Sequence, residues 1–287
     1  MSATLCEECG KEVSWDLRNC PTCGKDAGCP NVRHANESQQ CEALEKRYSD
    51  AIADAATRNI SEKVKLLESH ATKSVAVINV DVHYLRSFLQ NPGSFYSNYT
   101  LMVRGDVRRA AERQNDRARS GVEGLLFGRS GDHIRYAALS LDGHGLTTYG
   151  GSFGMVLSDQ SVRRRASILE RNSYDFVREH DIKTWALEND PPGYRSDWSR
   201  RHRLTIAKLA HRINNTTKDS DLPKIVLTKG KNRSEDEFLE VHIHGTFSRD
   251  AVMAVSGPSK VSENLEQVIL NEVRQQADSL GLTWIDP

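Results

Sequence analysis

Two closely spaced pairs of cysteines near the N-terminus constrain this chain more than any other feature. The pairs are Cys6-x2-Cys9 and Cys20-x2-Cys23, each followed by a glycine and separated by ten residues. A C-x-x-C segment closes a tight knuckle that directs two thiolates at one metal ion, and two knuckles complete a tetrahedral zinc ribbon. A disulfide pair or a thioredoxin-type redox motif is the alternative, but two pairs at this spacing favour zinc.

The predicted ribbon, residues 1–30, is too short to fold on apolar burial alone. A segment of about 23 residues cannot bury a useful core, so metal binding would supply its folding free energy. Four thiolates leave no open coordination position, and we therefore expect a structural rather than a catalytic Zn²⁺. Cys29 and Cys41 remain outside the pattern as spare thiols.

Composition excludes some classes of protein. Lys plus Arg and Asp plus Glu are 39 each in 287 residues, so no overall electric field draws the chain to nucleic acid or membrane. The sequence has no run of 18 apolar residues and no signal-peptide pattern, so we expect no membrane association. Cysteines in metal-binding spacing are typical of a reducing compartment, and we expect a cytoplasmic protein.

A long helix is predicted over residues 36–70. Asn36 with Gln39 three residues later forms a capping-box pattern. Apolar residues then recur every three to five positions, which predicts one stripe on a helix: Cys41, Leu44, Tyr48, Ile52, Ala55, Ile60, Val64 and Leu67. The helix is interpreted as a connector that packs on the following domain. A dimerising coiled coil or a partner-binding helix is the alternative.

Residues 73–287 are predicted to form an α+β domain, because strands and helices alternate without regular βαβ repetition. The strand predictions rest on β-prone or alternating runs at residues 74–80, 133–141, 153–157, 224–228 and 238–245. The helix predictions cover residues 83–90, 105–119, a segment that begins at Asp197, and a last helix from a Ser262 cap to Leu280 with Gly281 as its stop.

The segment 238–245 (FLEVHIHG) carries the most chemistry in this domain. In a strand, Leu239, Val241 and Ile243 share the core face, which places Glu240, His242 and His244 together on the other. Such a row forms either a half-exposed polar surface or an acid/base site. P-loop and dinucleotide-binding glycine fingerprints are absent from the sequence, which disfavours those enzyme classes.

Five short motifs follow one another in the main domain. They are the segment 135–143 (RYAALSLDG), Tyr149-Gly150, Arg165, Asn172-Ser173, and Glu240-Val241-His242 leading to Gly245. Their order, over residues 95–255, resembles the mono-ADP-ribosyltransferase toxins of bacteria. In that family a first strand, the polar start of a later strand and a final strand with a glutamate line the NAD cleft. The resemblance implies an ADP-ribosyltransferase-like split sheet behind the ribbon and helix.

The resemblance also implies roles for individual residues. Glu240, with His242, would be catalytic, and the cofactor-binding residues would be Arg135, Tyr136, Tyr149, Arg165, Asn172 and Ser173. Arg104 is the second candidate for the first-strand arginine. The S-T-S signature of the family is absent, and Ala166-Ser167 and Asn172-Ser173 stand in its place. Phe238 occupies the position of the first carboxylate of an E-x-E motif, which argues against the arginine-modifying subclass.

Two functions remain open at this point. One is a toxin or antiphage effector that transfers ADP-ribose from NAD to a nucleic acid or protein, with an antitoxin or another protein partner bound through the long helix. The other is a non-catalytic zinc-ribbon module that binds nucleic acid or protein. Three of the proposed cofactor-binding residues also have a structural alternative. These alternatives are an ion pair with Asp142 for Arg135, a core position for Tyr149 and a solvated basic run for Arg165.

Overall fold

A sheet of eight strands forms the centre of the protein. The computed structural model describes residues 3–97, 116–184 and 190–286, with side chains from 5–97, 121–184 and 190–286. The strands are β1 (Ala3–Leu5), β2 (Glu12–Ser14), β3 (Val75–Val80), β4 (Ile134–Ser140), β5 (Phe153–Leu157), β6 (Ala166–Leu169), β7 (Arg195–Asp197), β8 (Glu240–His244), β9 (Val252–Ser256) and β10 (Thr283–Ile285). The first two pair as a separate hairpin, and the other eight form the sheet.

The helices of the described residues surround this sheet. They are α1 (Pro30–Ala35), α2 (Ser38–Thr57), α3 (Ser61–Thr72), α4 (Val82–Gln90), α5 (Asp116–Phe127), α6 (Asp159–Val162), α7 (Ser173–Glu179), α8 (Arg201–Leu209), α9 (Leu222–Val226) and α10 (Asn264–Ser279). None of the helices in these ranges is long and apolar enough to span a membrane.

The strand order is β10-β9-β5-β3-β4-β8-β6-β7, and all neighbours are antiparallel except β9 and β10. The expected α+β class is therefore present. The strands from β3 to β10 form one continuous sheet, however, so the split sheet that the resemblance implied is not confirmed. β3 and β4 lie in the middle of the order, which explains why their sequences are apolar over most of their length.

The larger core lies on one face of the sheet. Val241 and Ile243 of β8 point into it together with Leu139 of β4, and seven helices contribute residues to it: α2, α3, α4, α6, α8, α9 and α10. The opposite face is covered at the β4–β8–β6 end by α5 and α7, where Phe127 and Phe176 pack against the sheet. Successive residues of β8 therefore face two different layers.

The span predicted as one helix is two helices, α2 and α3. Asn59 separates them because its backbone has a φ of +56°, a left-handed conformation that ends a right-handed helix. Ile60 then buries its side chain and Ser61 starts α3. The apolar stripe packs against the protein's own core, with Leu44, Val64 and Leu67 among its members, while Tyr48 and Ile52 are only partly buried.

The strand prediction at residues 224–228 is wrong. This segment contains the end of α9, which has Pro223 in its first turn, where the missing N–H of proline is tolerated. The prediction of a helix at 105–119 lies mostly outside the described residues, as does Arg104. α5 is described over Asp116–Phe127. The last helix begins at Asn264 and is followed by Gly281 in a left-handed conformation, as expected for its stop.

Candidate functional site

The four cysteines of the two knuckles form one cluster. The Sγ atoms of Cys6, Cys9, Cys20 and Cys23 all lie within 4.8 Å of one another. Two of the Sγ–Sγ separations, Cys6 to Cys23 and Cys9 to Cys20, are 3.6 Å. Thiolates at about 2.3 Å from a tetrahedral zinc ion stand about 3.8 Å apart, so the cluster fits such an ion. It could hold a metal ion such as zinc, as the spacing predicted.

The two knuckles share the same backbone geometry. In the first, Gly10 N–H donates to Cys6 O and Cys6 N–H donates to Lys11 O, both at 2.8 Å. In the second, Gly24 and Cys20 make the equivalent bonds, also at 2.8 Å. Both glycines have a positive φ, +67° and +72°, which residues with a Cβ rarely adopt. The glycine after each C-x-x-C therefore has a defined structural role.

Helix α1 connects this hairpin to the sheet. Arg33 on α1 donates to the carbonyl oxygens of Trp15 (2.9 Å) and Ser14 (3.1 Å) in the ribbon. Asn31, which is fully buried, donates to His242 O of β8 at 2.8 Å and to Ser167 Oγ of β6 at 3.1 Å. The backbone that carries His242 is thus held by the segment that follows the cysteine cluster.

The register of β8 assigns its polar residues to one face, as alternation predicted. His242 lies opposite Tyr136 of β4 and Ser167 of β6, and Glu240 lies opposite Ala138 and Leu169. Directly opposed residues of antiparallel strands project to the same side of the sheet. His242 is near Tyr136 and Phe127, with ring centroids 5.4 and 4.8 Å away.

Glu240 is the centre of a buried polar cluster. Its Oε2 accepts the backbone N–H of Ser173 at 2.8 Å and lies 2.9 Å from His242 Nε2, and the Ser173 hydroxyl also donates to it. Its Oε1 accepts the Asn172 amide at 3.3 Å. Asn172 also caps α7 by accepting the Tyr174 N–H. The carboxylate therefore lies at the N-terminus of α7, where the helix dipole favours a negative charge.

The imidazole of His242 is completely buried, and this burial lowers its pKa, although the hydrogen bond with Glu240 acts in the opposite direction. Nε2 faces both Glu240 and Ser173 Oγ (3.0 Å), whereas Nδ1 has no hydrogen-bond partner. A Ser-His-acid triad needs the serine on one ring nitrogen and the acid on the other. This cluster does not have that relay geometry.

Tyr149 lies on the Glu240 side of the sheet. Its ring contacts Phe238 with centroids 5.4 Å apart, and its hydroxyl donates to Arg233 O at 3.3 Å. Burial raises the pKa of Tyr149, and the negative charges of Glu240 and Asp236 raise it further. The structure thus brings together Glu240, His242, Tyr136, Asn172 and Ser173, and it places Tyr149 on the same face beside Phe238.

Arg135 and Arg165 lie elsewhere. Arg135 pairs with Ile243 and so projects to the face opposite Glu240, and its Nη1 donates to Asp132 O at 3.2 Å. Arg165 precedes β6 and donates to Thr246 O at 2.7 Å, beyond the other end of β8. Glu240 is the first residue of β8 and His244 is the last, and these four steps along a strand extend about 13 Å. The end of β8 near Arg165 therefore lies about 13 Å from Glu240. The alternative pairing of Arg135 with Asp142 is also absent: Arg135 donates to Asp132 O, while Asp142 Oδ1 accepts from Ser140 Oγ and from the His144 N–H.

Sequence reasoning missed a second buried charge network on the Glu240 face. Arg195 of β7 is 1% exposed and donates to Asp190 Oδ2 at 2.8 Å. His34 Nε2 of α1 lies 3.3 Å from the same oxygen. Burial, together with the charge of Arg195, lowers the pKa of His34 well below its usual range. No local spacing indicates this network, since its members are far apart in the sequence.

Lys208 on α8 is a further residue without a sequence signal. Its Nζ donates to Phe238 O at 3.1 Å and also to Glu170 O. Phe238 lies two residues before Glu240, and Glu170 lies two residues before Asn172. One ammonium group therefore holds both segments of the polar cluster. Burial lowers the pKa of Lys208 to about 8.

Comparison with known proteins gave no assignment. No protein-family model matches the chain. A search of curated proteins gave no significant match.

Proposed function

We propose that this protein is a cytoplasmic NAD-dependent mono-ADP-ribosyltransferase whose catalytic carboxylate is Glu240. One observation carries the proposal: Glu240 contacts both Asn172 and Ser173, which are more than 60 residues away in the sequence. Glu240 belongs to one of the motifs on which the resemblance to the transferase toxins rests, and the pair Asn172-Ser173 forms another. The metal cluster is proposed to hold a structural zinc ion.

The chemistry of the proposed reaction suits such a carboxylate. The bond between ribose C1′ and the nicotinamide nitrogen breaks, and its electron pair leaves with nicotinamide. A new bond forms between C1′ and a nucleophile of the acceptor, whose proton passes to a base or to solvent. A carboxylate near C1′ stabilises the positive charge that develops there and positions the nucleophile. Ser173 and His242 fix the orientation of Glu240 through hydrogen bonds to Oε2.

The acceptor is proposed to be a macromolecule, either nucleic acid or protein. The direct test is incubation with NAD labelled in its adenylate part and a cell extract, followed by separation of protein, RNA and DNA. Wild-type protein should label one fraction. Glu240→Gln keeps the shape of the side chain and one acceptor oxygen but removes the charge, so labelling should fall about 100-fold or more. Glu235→Gln, at an exposed position nearby, is the matched control and should leave it unchanged.

A binding function is the second candidate, because Glu240 is only 6% exposed and already has several donors. A carboxylate in that state also suits a purely structural cap of α7. In this case the ribbon and sheet domain would recognise a nucleic acid or protein without modifying it. Labelling that is absent in wild type, or equal in wild type and Glu240→Gln, would favour the binding function.

A further inference from the structure

The polar cluster of Glu240 is assembled from two chain segments that meet beyond the end of a strand pair. The pairing of β6 with β8 extends as far as Leu169, which lies opposite Glu240. Past this point the chain turns from β6 into α7 and brings Asn172 and Ser173 to the carboxylate. The chain enters β8 through Phe238, two residues before Glu240. The distance between the carboxylate and its donors therefore depends on how these two segments are held together.

Lys208 of α8 joins the two segments at this point. Its Nζ donates to Phe238 O at 3.1 Å and also to Glu170 O. Glu170 directly follows β6, so the two carbonyl oxygens flank neighbouring strands. An ammonium group carries three N–H donors on a flexible stem, which lets one side chain bond carbonyl oxygens of two segments. Lys208 thus connects them just past the last residue pair of the β6–β8 ladder.

Each segment is also held on its own side of the sheet. The N–H of Glu170 donates to Tyr194 O at 3.1 Å, next to β7, and its carboxylate accepts from Arg47 of α2 at 2.8 Å. On the other side, the N–H of Leu139 in β4 donates to Leu239 O at 2.9 Å. These contacts fix each segment against a different neighbour, and the ammonium group of α8 sets one segment against the other.

We propose that Lys208 is a positioning residue of the candidate site, which fixes the Glu240 carboxylate relative to the Asn172 and Ser173 donors. Lys208 acts through two backbone carbonyls that flank the polar cluster. The catalytic consequence rests on the proposed function, because a displacement of about 1 Å in a reacting group can slow a reaction about 100-fold. The effect on the geometry of the polar cluster does not rest on it and is measurable without activity.

The charge of Lys208 makes this positioning sensitive to pH. Burial is the main cause that lowers the pKa of Lys208 to about 8; the charges of Arg171 and Arg212 lower it further, whereas Glu170 and Glu237 oppose the shift. A charged donor forms stronger hydrogen bonds than a neutral amine. Both carbonyl oxygens should therefore be held less firmly as the pH rises through about 8.

The test is heteronuclear NMR of the histidine rings of the intact protein over a range of pH, with His242→Gln to assign the signal of His242. This ring is the reporter because its Nε2 lies 2.9 Å from Glu240 Oε2 and 3.0 Å from Ser173 Oγ. Burial lowers the pKa of His242, so the ring itself does not titrate above neutral pH. In wild type the His242 signal should nevertheless move with a midpoint at about pH 8, the pKa of Lys208.

Three lysine variants identify the group that causes this movement. Lys208→Met removes the charge but keeps a long side chain with good helix propensity, and it should displace the His242 signal at neutral pH and abolish the midpoint. Lys208→Arg stays charged throughout, so its signal should remain near the wild-type position at neutral pH and lack the midpoint. Lys224→Met, at an exposed position of α9, is the matched control and should titrate as wild type does.

The proposal is overturned by a wild-type signal without this midpoint, by the same midpoint in Lys208→Arg, or by an unshifted signal in Lys208→Met. A purely structural role of Lys208 would lower the melting temperature of Lys208→Met but leave the His242 signal of the folded protein unmoved. If Lys208→Met does not fold, the comparison of wild type with Lys208→Arg still decides.

Activity gives a second readout that separates this proposal from the transferase proposal. Where wild type labels an acceptor, Lys208→Met should lower kcat about 10-fold or more with KM nearly unchanged, and Lys208→Arg should restore most of the rate at neutral pH. An unchanged kcat in Lys208→Met would contradict the positioning role. Absence of labelling by wild type would reject the transferase proposal alone, because the NMR titration decides the positioning role without it.

Discussion

At the scale of single residues, the hydrogen bonds to Glu240 are the most consequential contacts of the candidate site. Ser173→Ala should lower the free energy of unfolding by about 1–3 kcal/mol, because a buried carboxylate loses a donor that water cannot replace. Urea denaturation measures the change. Ser199→Ala, where the hydroxyl contacts Asp197 near the surface, is a control that should cost less. A cost for Ser173→Ala no larger than that of the control would show that the hydroxyl is not needed.

His244 predicts a dependence of stability on pH. Its folded pKa, about 4, lies below the unfolded value of about 6.5, so the unfolded state binds the proton more readily between these limits. The contribution of His244 to the free energy of unfolding, about 3 kcal/mol, is fully present above pH 6.5 and is lost as the pH falls toward 4. His34 and His242 shift in the same direction, so the test is the difference between wild type and His244→Gln. Parallel curves for the two proteins would contradict it.

At the scale of elements, the break between α2 and α3 rests on one residue. Asn59→Ala should destabilise the protein by about 1 kcal/mol, because alanine tolerates a φ of +56° less well than asparagine, whereas Asn59→Gly should be neutral or stabilising. Thermal unfolding measures both. Asn271→Ala removes the same amide from an exposed position within α10 and should not destabilise. A melting temperature unchanged by Asn59→Ala would mean that α2 and α3 can join.

Elements with a local signal could be predicted, and elements defined by distant contacts could not. The two knuckles, the alternation of β8 and the stop at Gly281 depend on neighbouring residues, so spacing alone indicated them. β7 and β10 are three residues long and show no periodicity. Residues 224–228 favour a strand by composition, but a helix with Pro223 in its first turn runs into this segment. Asn59 inside a helical stripe also carries too weak a signal to predict the break.

The candidate site shows the same division. Alternation placed Glu240 and His242 on one face, and the structure agrees. Arg135 could not be placed from sequence, because its distance from Glu240 depends on the register of β4 against β8. The buried pair of Arg195 and Asp190 depends on the packing of β7 at the sheet edge. Tertiary register, not residue type, decides which charged groups meet.

At the scale of the whole molecule, the ribbon and the sheet are joined by α1, yet their cores are separate. The cysteine cluster has its own small core with Val13, while the large core lies on the far face of the sheet. Asn31 is the buried link, through its bond to His242 O. Loss of the metal should therefore unfold the ribbon and loosen β8 near His242 without melting the sheet.

Replacement of Cys20 and Cys23 by serine tests this prediction. Elemental analysis should find about one zinc per chain in wild type and almost none in the variant, since serine does not supply a thiolate. Hydrogen exchange should become fast across residues 3–28 and rise moderately at β8, while β3, which lies between β4 and β5, stays protected. Cys41→Ser, outside the cluster, is the matched control and should keep both the metal and the exchange pattern. Less than about half a zinc per chain in freshly purified wild type would contradict the metal site. Unchanged hydrogen exchange in β8 of the metal-free variant would show that α1 does not transmit the unfolding of the ribbon to the sheet.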